Sequence, residues 1–241
     1  MVDRIPVRSG VAHYRKAVDT RFFDKWSPAM AYVLGYFAAD GNMFVNSHGS
    51  KYIGFCSTDR VLLYRVKTLL SAQHRVTLRR RSYGLPHWKR LYQLQIGGGE
   101  LFVSLQALGF TPNKSKTMRF PDVPPACLAS FVRGYLDGDG CVGLGWTRAN
   151  DRRSLKRYIQ LCFVSGSFEF LRRMDQALQT AVGIHSGYLR ERHGEGCYLY
   201  YQRRPDLKRL HAFLYPENLP ACLYLARKKR KFDEVVKILG A

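Results

Sequence analysis

Val33-Leu34-Gly35-Tyr36-Phe37-Ala38-Ala39-Asp40-Gly41 and Val132-Arg133-Gly134-Tyr135-Leu136-Asp137-Gly138-Asp139-Gly140 are two versions of one block of sequence. Each ends in an acid followed by glycine, and the final acids, Asp40 and Asp139, stand a domain's length apart. In each copy two small residues recur four positions apart, Gly35 with Ala39 and Gly134 with Gly138. Positions i and i+4 share one face of a helix. A glycine inside a helix costs about 1 kcal/mol relative to alanine, so such a face is expected where two backbones approach more closely than the usual 8–10 Å between axes. If the copies pack on each other about a pseudo-two-fold axis, Asp40 and Asp139 emerge side by side at the C-terminal ends of both helices. The helix dipole is negative there, so the pair calls for a cation.

Outward from the two blocks, the rest of the chain also reads twice. Ser27-Pro28 supplies an N-cap and a proline at the first helical position, and Gly41 is expected to be a left-handed C-cap. Met43–Val45 and Tyr52–Phe55 flank the polar turn 46–50 and predict a hairpin. Leu62, Leu63, Val66, Leu69 and Leu70 carry helical spacing over 59–70, a second hairpin spans 74–81 and 91–96, and helix returns at 101–108. A proline-rich linker follows. The same order then repeats: helix at 126–138, strands near 142–146 and 158–164, helix at 168–182, a hairpin over 184–202, and helices at 206–214 and 221–239. Leu78-Arg79-Arg80-Arg81 is echoed by Leu189-Arg190-Glu191-Arg192. The expected organisation is a basic N-terminal arm at 1–24, a first half at 25–109, a linker at 110–124 and a second half at 125–241.

The 241 residues carry 39 Lys+Arg against 18 Asp+Glu, a formal charge of +21, which points to a polyanionic partner. At 46% hydrophobic and 13% aromatic the chain can build a core, so disorder is not expected. The six cysteines include no C-x-x-C pair and are expected to be small, buried, reduced thiols. The N-terminus has no apolar core of a secretory signal, and the run 30–39 is half of what a membrane span needs, so a soluble intracellular protein is expected. Gly138-Asp139-Gly140-Cys141-Val142-Gly143 matches G-x-G-x-x-G, but it ends a helix and precedes a strand, the reverse of a dinucleotide site. A calcium loop counted from Asp137 would need Glu where Arg148 stands.

Two matched acids in so basic a chain suggest a metal-dependent nuclease. Oxygen ligands shared with phosphate suit Mg²⁺, which keeps several waters and takes one or two carboxylates. Strand alternation turns Val76, Leu78, Tyr92, Leu94 and Ile96 toward the helices and Thr77, Arg79, Arg81, Gln93 and Gln95 away from them. Arg and Gln read guanine and adenine edges bidentately. In the second half Arg190, Arg192, Tyr198, Tyr200 and Gln202 take the matching face. The stretch 147–157, with Arg148, Arg152 and Arg153, lengthens a hairpin and is a candidate for phosphate contacts. Because the two faces differ, the target should be asymmetric.

The duplicated block, the linker wording Leu108-Gly109-Phe110-Thr111-Pro112-Asn113-Lys114-Ser115-Lys116 and the tail Tyr224-Leu225-Ala226-Arg227-Lys228-Lys229 resemble the LAGLIDADG homing endonucleases. The resemblance implies an α+β monomer, a pseudo-two-fold pair of αββαββα halves with saddle-shaped antiparallel sheets over double-stranded DNA. It implies divalent metal at Asp40 and Asp139, with the adjoining Ala39 and Gly138 in the metal site. Mg²⁺ or Mn²⁺ would support turnover, and Ca²⁺ would bind without it. A basic residue late in each half is implied to organise active-site water, Lys114 or Lys116 and Lys228 or Lys229, the first of each pair being preferred. A polar residue before each middle helix is nearest matched by Asp59 and Ser167. The first acid of the motif is Asp137 in one copy and Ala38 in the other, a position that varies in the family. The resemblance thus implies a site-specific double-strand endonuclease. An intron RNA maturase or a transcription regulator on the same scaffold is the non-catalytic alternative. A free-standing or intron-encoded form is expected rather than an intein.

Overall fold

In the computed structural model of the chain, residues 16–79, 89–148, 154–192 and 194–240 are described. Ser27 caps the first helix, α1 (Pro28–Asp40), accepting from the Met30 amide at 3.1 Å. Every residue from Met30 to Ala38 is buried, as befits a helix apolar on all sides. It runs straight into β1 (Gly41–Val45), followed by β2 (Lys51–Ser57), α2 (Arg60–Leu69), β3 (Val76–Leu78), β4 (Tyr92–Gly97) and α3 (Gly99–Ala107). The second half follows the same order: α4 (Pro125–Asp139), β5 (Gly140–Arg148), β6 (Leu155–Ser165), α5 (Phe168–Val182), β7 (Tyr188–Arg192), β8 (Gly196–Tyr201) and α6 (Arg204–Leu214). A further helix, α7 (Ala226–Gly240), closes the chain.

The sheets are antiparallel with matching strand orders, β1-β2-β4-β3 and β5-β6-β8-β7. Their registers coincide as well: Gly41 opposes Phe55 in one, and Gly140 opposes Phe163 in the other. The two halves are thus αββαββα units, and the expected α+β duplication describes the molecule. Helices α1 and α4 meet at its centre. A Cβ on Gly35 would lie 1.9 Å from the Phe131 carbonyl oxygen, and one on Gly134 would lie 2.0 Å from that of Tyr32. The contact is reciprocal, backbone on backbone.

Several local expectations differ from the structure. Gly41 is extended (φ −81°, ψ 153°), not left-handed, and so is Gly140 (φ −108°, ψ 161°). Glycine serves close approach here: a Cβ on Gly41 would fall 2.5 Å from the Phe37 carbonyl oxygen. Strands β5 and β6 extend beyond the expected 142–146 and 158–164. Leu78 lies on the expected face, opposite Tyr92, yet is 54% exposed, since β3 is a three-residue edge strand. Within the linker, Phe110 and Met118 are buried in the core and Lys114–Lys116 form a 3₁₀ turn after left-handed Asn113. Of the cysteines, Cys127, Cys162 and Cys197 are buried, but Cys141 and Cys222 are exposed.

The tail departs most. A continuous helix over 221–239 is replaced by a 3₁₀ turn (Ala221–Leu223), an extended Tyr224 and only then α7. Buried side chains of α4 claim the backbone at the break: the Arg133 guanidinium Nε donates to the Leu223 carbonyl at 2.7 Å, and Asp137 accepts from the Leu225 amide at 2.7 Å. Arg81, Arg152 and Arg153 lie outside the described residues, as does most of the expected N-terminal arm.

Candidate active site

Asp40 and Asp139 are the last residues of α1 and α4, so the helix pair that fills the centre also delivers both acids to one place. A Cβ on Gly138 would meet the Ala39 methyl at 2.4 Å and Asp40 Oδ2 at 3.3 Å. Only a residue without a side chain at 138 lets the two helix ends come this close. Burial pushes the Asp40 carboxyl from its ordinary 3.8 up to about 7, with the Asp139 charge adding to the rise and Lys228 and Lys114 opposing it. The Asp139 carboxyl is likewise raised by burial, against the pull of the same two lysines.

The lysines arrive from the linker and the tail. Lys114 is buried, and its Nζ donates to the Ala38 carbonyl at 2.8 Å. Lys228 Nζ donates to the carbonyls of Leu136 (2.5 Å), Asp137 (2.8 Å), Gly138 (3.2 Å) and Gly140 (2.8 Å). Each ammonium thus donates to carbonyls around a helix C-terminus, where several lack an intrahelical donor and the dipole is negative, although Leu136 also accepts from the Gly140 amide. Burial holds both lysines down to about 8, and the nearby aspartates oppose that fall. Lys116 is exposed and Lys229 pairs with Asp233 at 2.9 Å, so of each candidate pair it is Lys114 and Lys228 that reach the helix ends carrying the acids.

Asp59 and Ser167 are helix caps: Asp59 accepts from the Val61 amide at 3.1 Å and Ser167 from the Phe170 amide at 3.2 Å. Asp59 also faces Arg227 Nε at 3.4 Å, one of the ties between the halves. A second tie joins Arg65 to the Tyr224 carbonyl.

Each acid is followed directly by the first strand of a sheet, so the site sits at the junction of the two sheets. Thr77, Arg79, Gln93 and Gln95 share the outer face of the first, with Thr77 opposite Gln93. Asn42 and Phe44 also lie on this face, beside a groove of about 260 Å³ that Arg79, Gln93 and Gln95 help to line. On the second sheet Arg190 opposes Tyr198, and Tyr188 opposes Tyr200. The Tyr198 and Tyr200 rings stack at 6.0 Å, Tyr188 stacks on Tyr200 at 6.3 Å, and the Arg192 guanidinium lies 5.0 Å from the Tyr198 centroid. Gln202 donates to Gln160 at 3.2 Å, and Arg148 is exposed at the end of β5. Sequence reasoning missed Asn42, Gln160 and Tyr188, although counting back by two from Arg190 along β7 finds Tyr188.

Burial outweighs the lysines at both carboxyls, so their ionised forms disfavour folding. A group whose folded pKa is raised contributes stability below its unfolded pKa and loses it as pH rises through the folded value. For Asp40 that window runs from 3.8 to about 7. In protein free of divalent cations, Asp139→Asn is therefore expected to raise the melting temperature at pH 8 by about 3–6 °C, the gain vanishing toward pH 4. Calorimetry at the two pH values checks this; an unchanged or lower melting point at pH 8 contradicts a crowded acid pair.

Among the described residues no group of three or more His, Cys, Asp or Glu clusters for a metal ion. A cation here would rest on the two acids, the carbonyls at Ala39 and Gly138, and ligands from outside the chain. No described helix is long and apolar enough to cross a membrane.

The family described as "LAGLIDADG-like domain" matches residues 27–108 and again residues 126–215. No curated protein matches the chain. Among solved structures, the homing endonuclease I-WcaI bound to its DNA recognition sequence superposes with a TM-score of 0.61 at 12% identity, covering 88% of this chain and 90% of that one. The I-SmaMI homing endonuclease bound to cleaved DNA gives 0.59 at 11% identity, covering 90% of each. The meganuclease I-AabMI bound to uncleaved DNA gives 0.59 at 13% identity, covering 89% and 92%. At such identities the likeness speaks for the fold, and the family match, which takes in both copies of the acidic block, speaks for descent. The chain belongs to the LAGLIDADG family.

Proposed function

We propose that this protein is a site-specific, divalent-metal-dependent endonuclease that cuts both strands of a long, asymmetric DNA site as a monomer. The observation that carries the reading is the convergence of Asp40 and Asp139 at the junction of two differently decorated sheets. Family membership and the charge of +21 support DNA as the partner.

The donor set fits a hard divalent cation. Two carboxylates whose charge is disfavoured by burial gain from Mg²⁺ or Mn²⁺, and the carbonyls at Ala39 and Gly138 lie beside them. The Gly138 carbonyl already accepts from Lys228 at 3.2 Å and retains a second lone pair. When bound, such an ion supplies Lewis acidity and an acidified water for phosphodiester hydrolysis. The chain's own residues do the rest. Asp40 and Asp139 hold negative charge at the point where each helix becomes a strand. Lys114 and Lys228 fix those helix ends and place positive charge beside a scissile phosphate. Arg79, Gln93 and Gln95 on one sheet, and Arg190, Arg192, Tyr198, Tyr200 and Gln202 on the other, read bases and stack on the duplex. Their difference makes the preferred site non-palindromic.

The test is incubation with a plasmid library of randomised inserts. Mg²⁺ is expected to give linear product at one family of related sequences, and Ca²⁺ to give retention of the same sequences without cutting. Retention with Mg²⁺ but no cut product would instead support a non-catalytic binder. Affinity should fall steeply with salt on either reading, so binding alone does not choose between them.

A further inference from the structure

The two motif copies differ at one acid, Asp137 in α4 against Ala38 in α1, and the metal site has no use for it. Asp137 is 3% exposed. Its Oδ2 accepts from Tyr32 Oη at 2.8 Å, a residue of the other half, and from the Leu225 amide at 2.7 Å. Oδ1 has no hydrogen-bond partner among the described residues. A buried acid with one bare oxygen is costly, and an alanine at that place would avoid the cost.

What the acid does is visible in the tail. Leu225 is where the chain turns from extended Tyr224 into α7, and its carbonyl accepts from the Lys228 amide at 2.9 Å. Lys228 lies in the first turn of α7 and reaches back to four carbonyls around the end of α4. Half one reaches its lysine differently. The path from α3 to Lys114 is half as long as that from α6 to Lys228. It is pinned by Phe110, buried edge-on against Phe37, and by the Met118 amide bond to the Lys114 carbonyl at 2.7 Å. That short linker needs no latch, and the corresponding residue is Ala38.

We infer that Asp137 is a positioning residue: through the Leu225 amide it fixes the start of α7 and so holds Lys228 against the end of α4, on one side of the active site only. The latch is a statement about the folded chain, and its effect on cutting rests on the endonuclease reading. Loss of the latch should disturb the half-two lysine, leave the half-one lysine in place and slow one strand more than the other.

Two measurements on Asp137→Ala test this. In DNA-free protein, hydrogen exchange over residues 223–229 is expected to accelerate at least tenfold while residues 110–118 exchange as in the wild type. With Mg²⁺ and a supercoiled plasmid carrying the target, nicked circles are expected to accumulate, the second cut slowing at least tenfold. Affinity in Ca²⁺ should stay within about twofold. Asp137→Asn, which keeps an acceptor for Leu225, should restore both readouts to within about threefold. If Asp137→Ala does not fold, Asp137→Ser, whose hydroxyl stops short of Leu225, is read in the same way. Unchanged exchange over 223–229 overturns the latch whatever cleavage does. Faster exchange with both strands slowed equally overturns the positioning role and leaves Asp137 a merely structural residue. A wild-type protein that cuts no DNA removes the endonuclease reading, and the exchange measurement still decides the latch.

Discussion

Asp40→Asn and Asp139→Asn are each expected to lower double-strand cleavage by at least 10³-fold, while affinity for the same DNA in Ca²⁺ stays within a few-fold of wild type. The substitution keeps size and shape and removes one negative charge from a site with two. The acids stand at adjoining helix ends; on the proposed reading they act on a shared centre, and loss of either removes half of its anionic ligand set. Groups that act as a unit give single-mutant losses nearly as large as the double-mutant loss, so Asp40→Asn/Asp139→Asn should fall little further. Binding is expected to survive because the side chains proposed to read bases lie on the sheet faces, and one acid fewer reduces repulsion of the backbone phosphates. Single-turnover assays on a labelled duplex, following each strand separately, check the expectation. Either single variant cutting both strands at the wild-type rate would show that the chemistry lies elsewhere.

How much of this was legible in the sequence follows from the range of the forces involved. The repeat, the central helix pair and the acids at its end follow from local spacing: Gly35, Ala39, Gly134 and Gly138 can share a helix face in only one way. Hairpin alternation likewise placed Gln93, Gln95, Tyr198 and Tyr200 on the outer faces, because period two is set by the strand itself. The failures are tertiary. Pro220 opens what reads as one long helix, yet Arg133 and Asp137, far away in sequence, draw the backbone at Leu223 and Leu225 into their own hydrogen bonds. No propensity reports that. Asp-Gly at 40–41 reads as a left-handed cap, whereas Gly41 is extended and is small because Phe37 lies against it. Leu78 obeys alternation and is still exposed, since an edge strand of three residues has little to cover it. For the lysines, the sequence and the family resemblance left two candidates in each half. Burial separates them, with Lys114 and Lys228 inside and Lys116 exposed.

Gly134→Ala should be strongly destabilising for a single added methyl, and its sign is opposite to the general rule. In a helix interior, glycine to alanine ordinarily gains about 1 kcal/mol. Here the added methyl would lie 2.0 Å from the Tyr32 carbonyl oxygen and 2.9 Å from the Tyr36 amide nitrogen. Those are backbone atoms of a buried helix, and no rotamer change relieves the overlap. The helices must part by an ångström or more, loosening the packing of Tyr32, Tyr36, Phe131 and Tyr135, all of which are buried. Overpacking a tight core costs 1–3 kcal/mol and occasionally more. With backbone as the obstacle the loss should be at least about 3 kcal/mol, roughly 10 °C in melting temperature for a chain of this length. Gly35→Ala should behave alike, since its methyl would lie 1.9 Å from the Phe131 carbonyl oxygen. Gly99→Ala is the control, because it adds the same methyl to the first residue of α3 with nothing within 4 Å. It should be neutral or slightly stabilising. Parting the helices also separates Asp40 from Asp139, so cleavage by Gly134→Ala should fall well below what its melting temperature alone explains, even when assayed cold enough for the protein to be fully folded. A Gly134→Ala variant as stable as Gly99→Ala would mean that the helices do not meet backbone to backbone, and the acids would then have no reason to share a site.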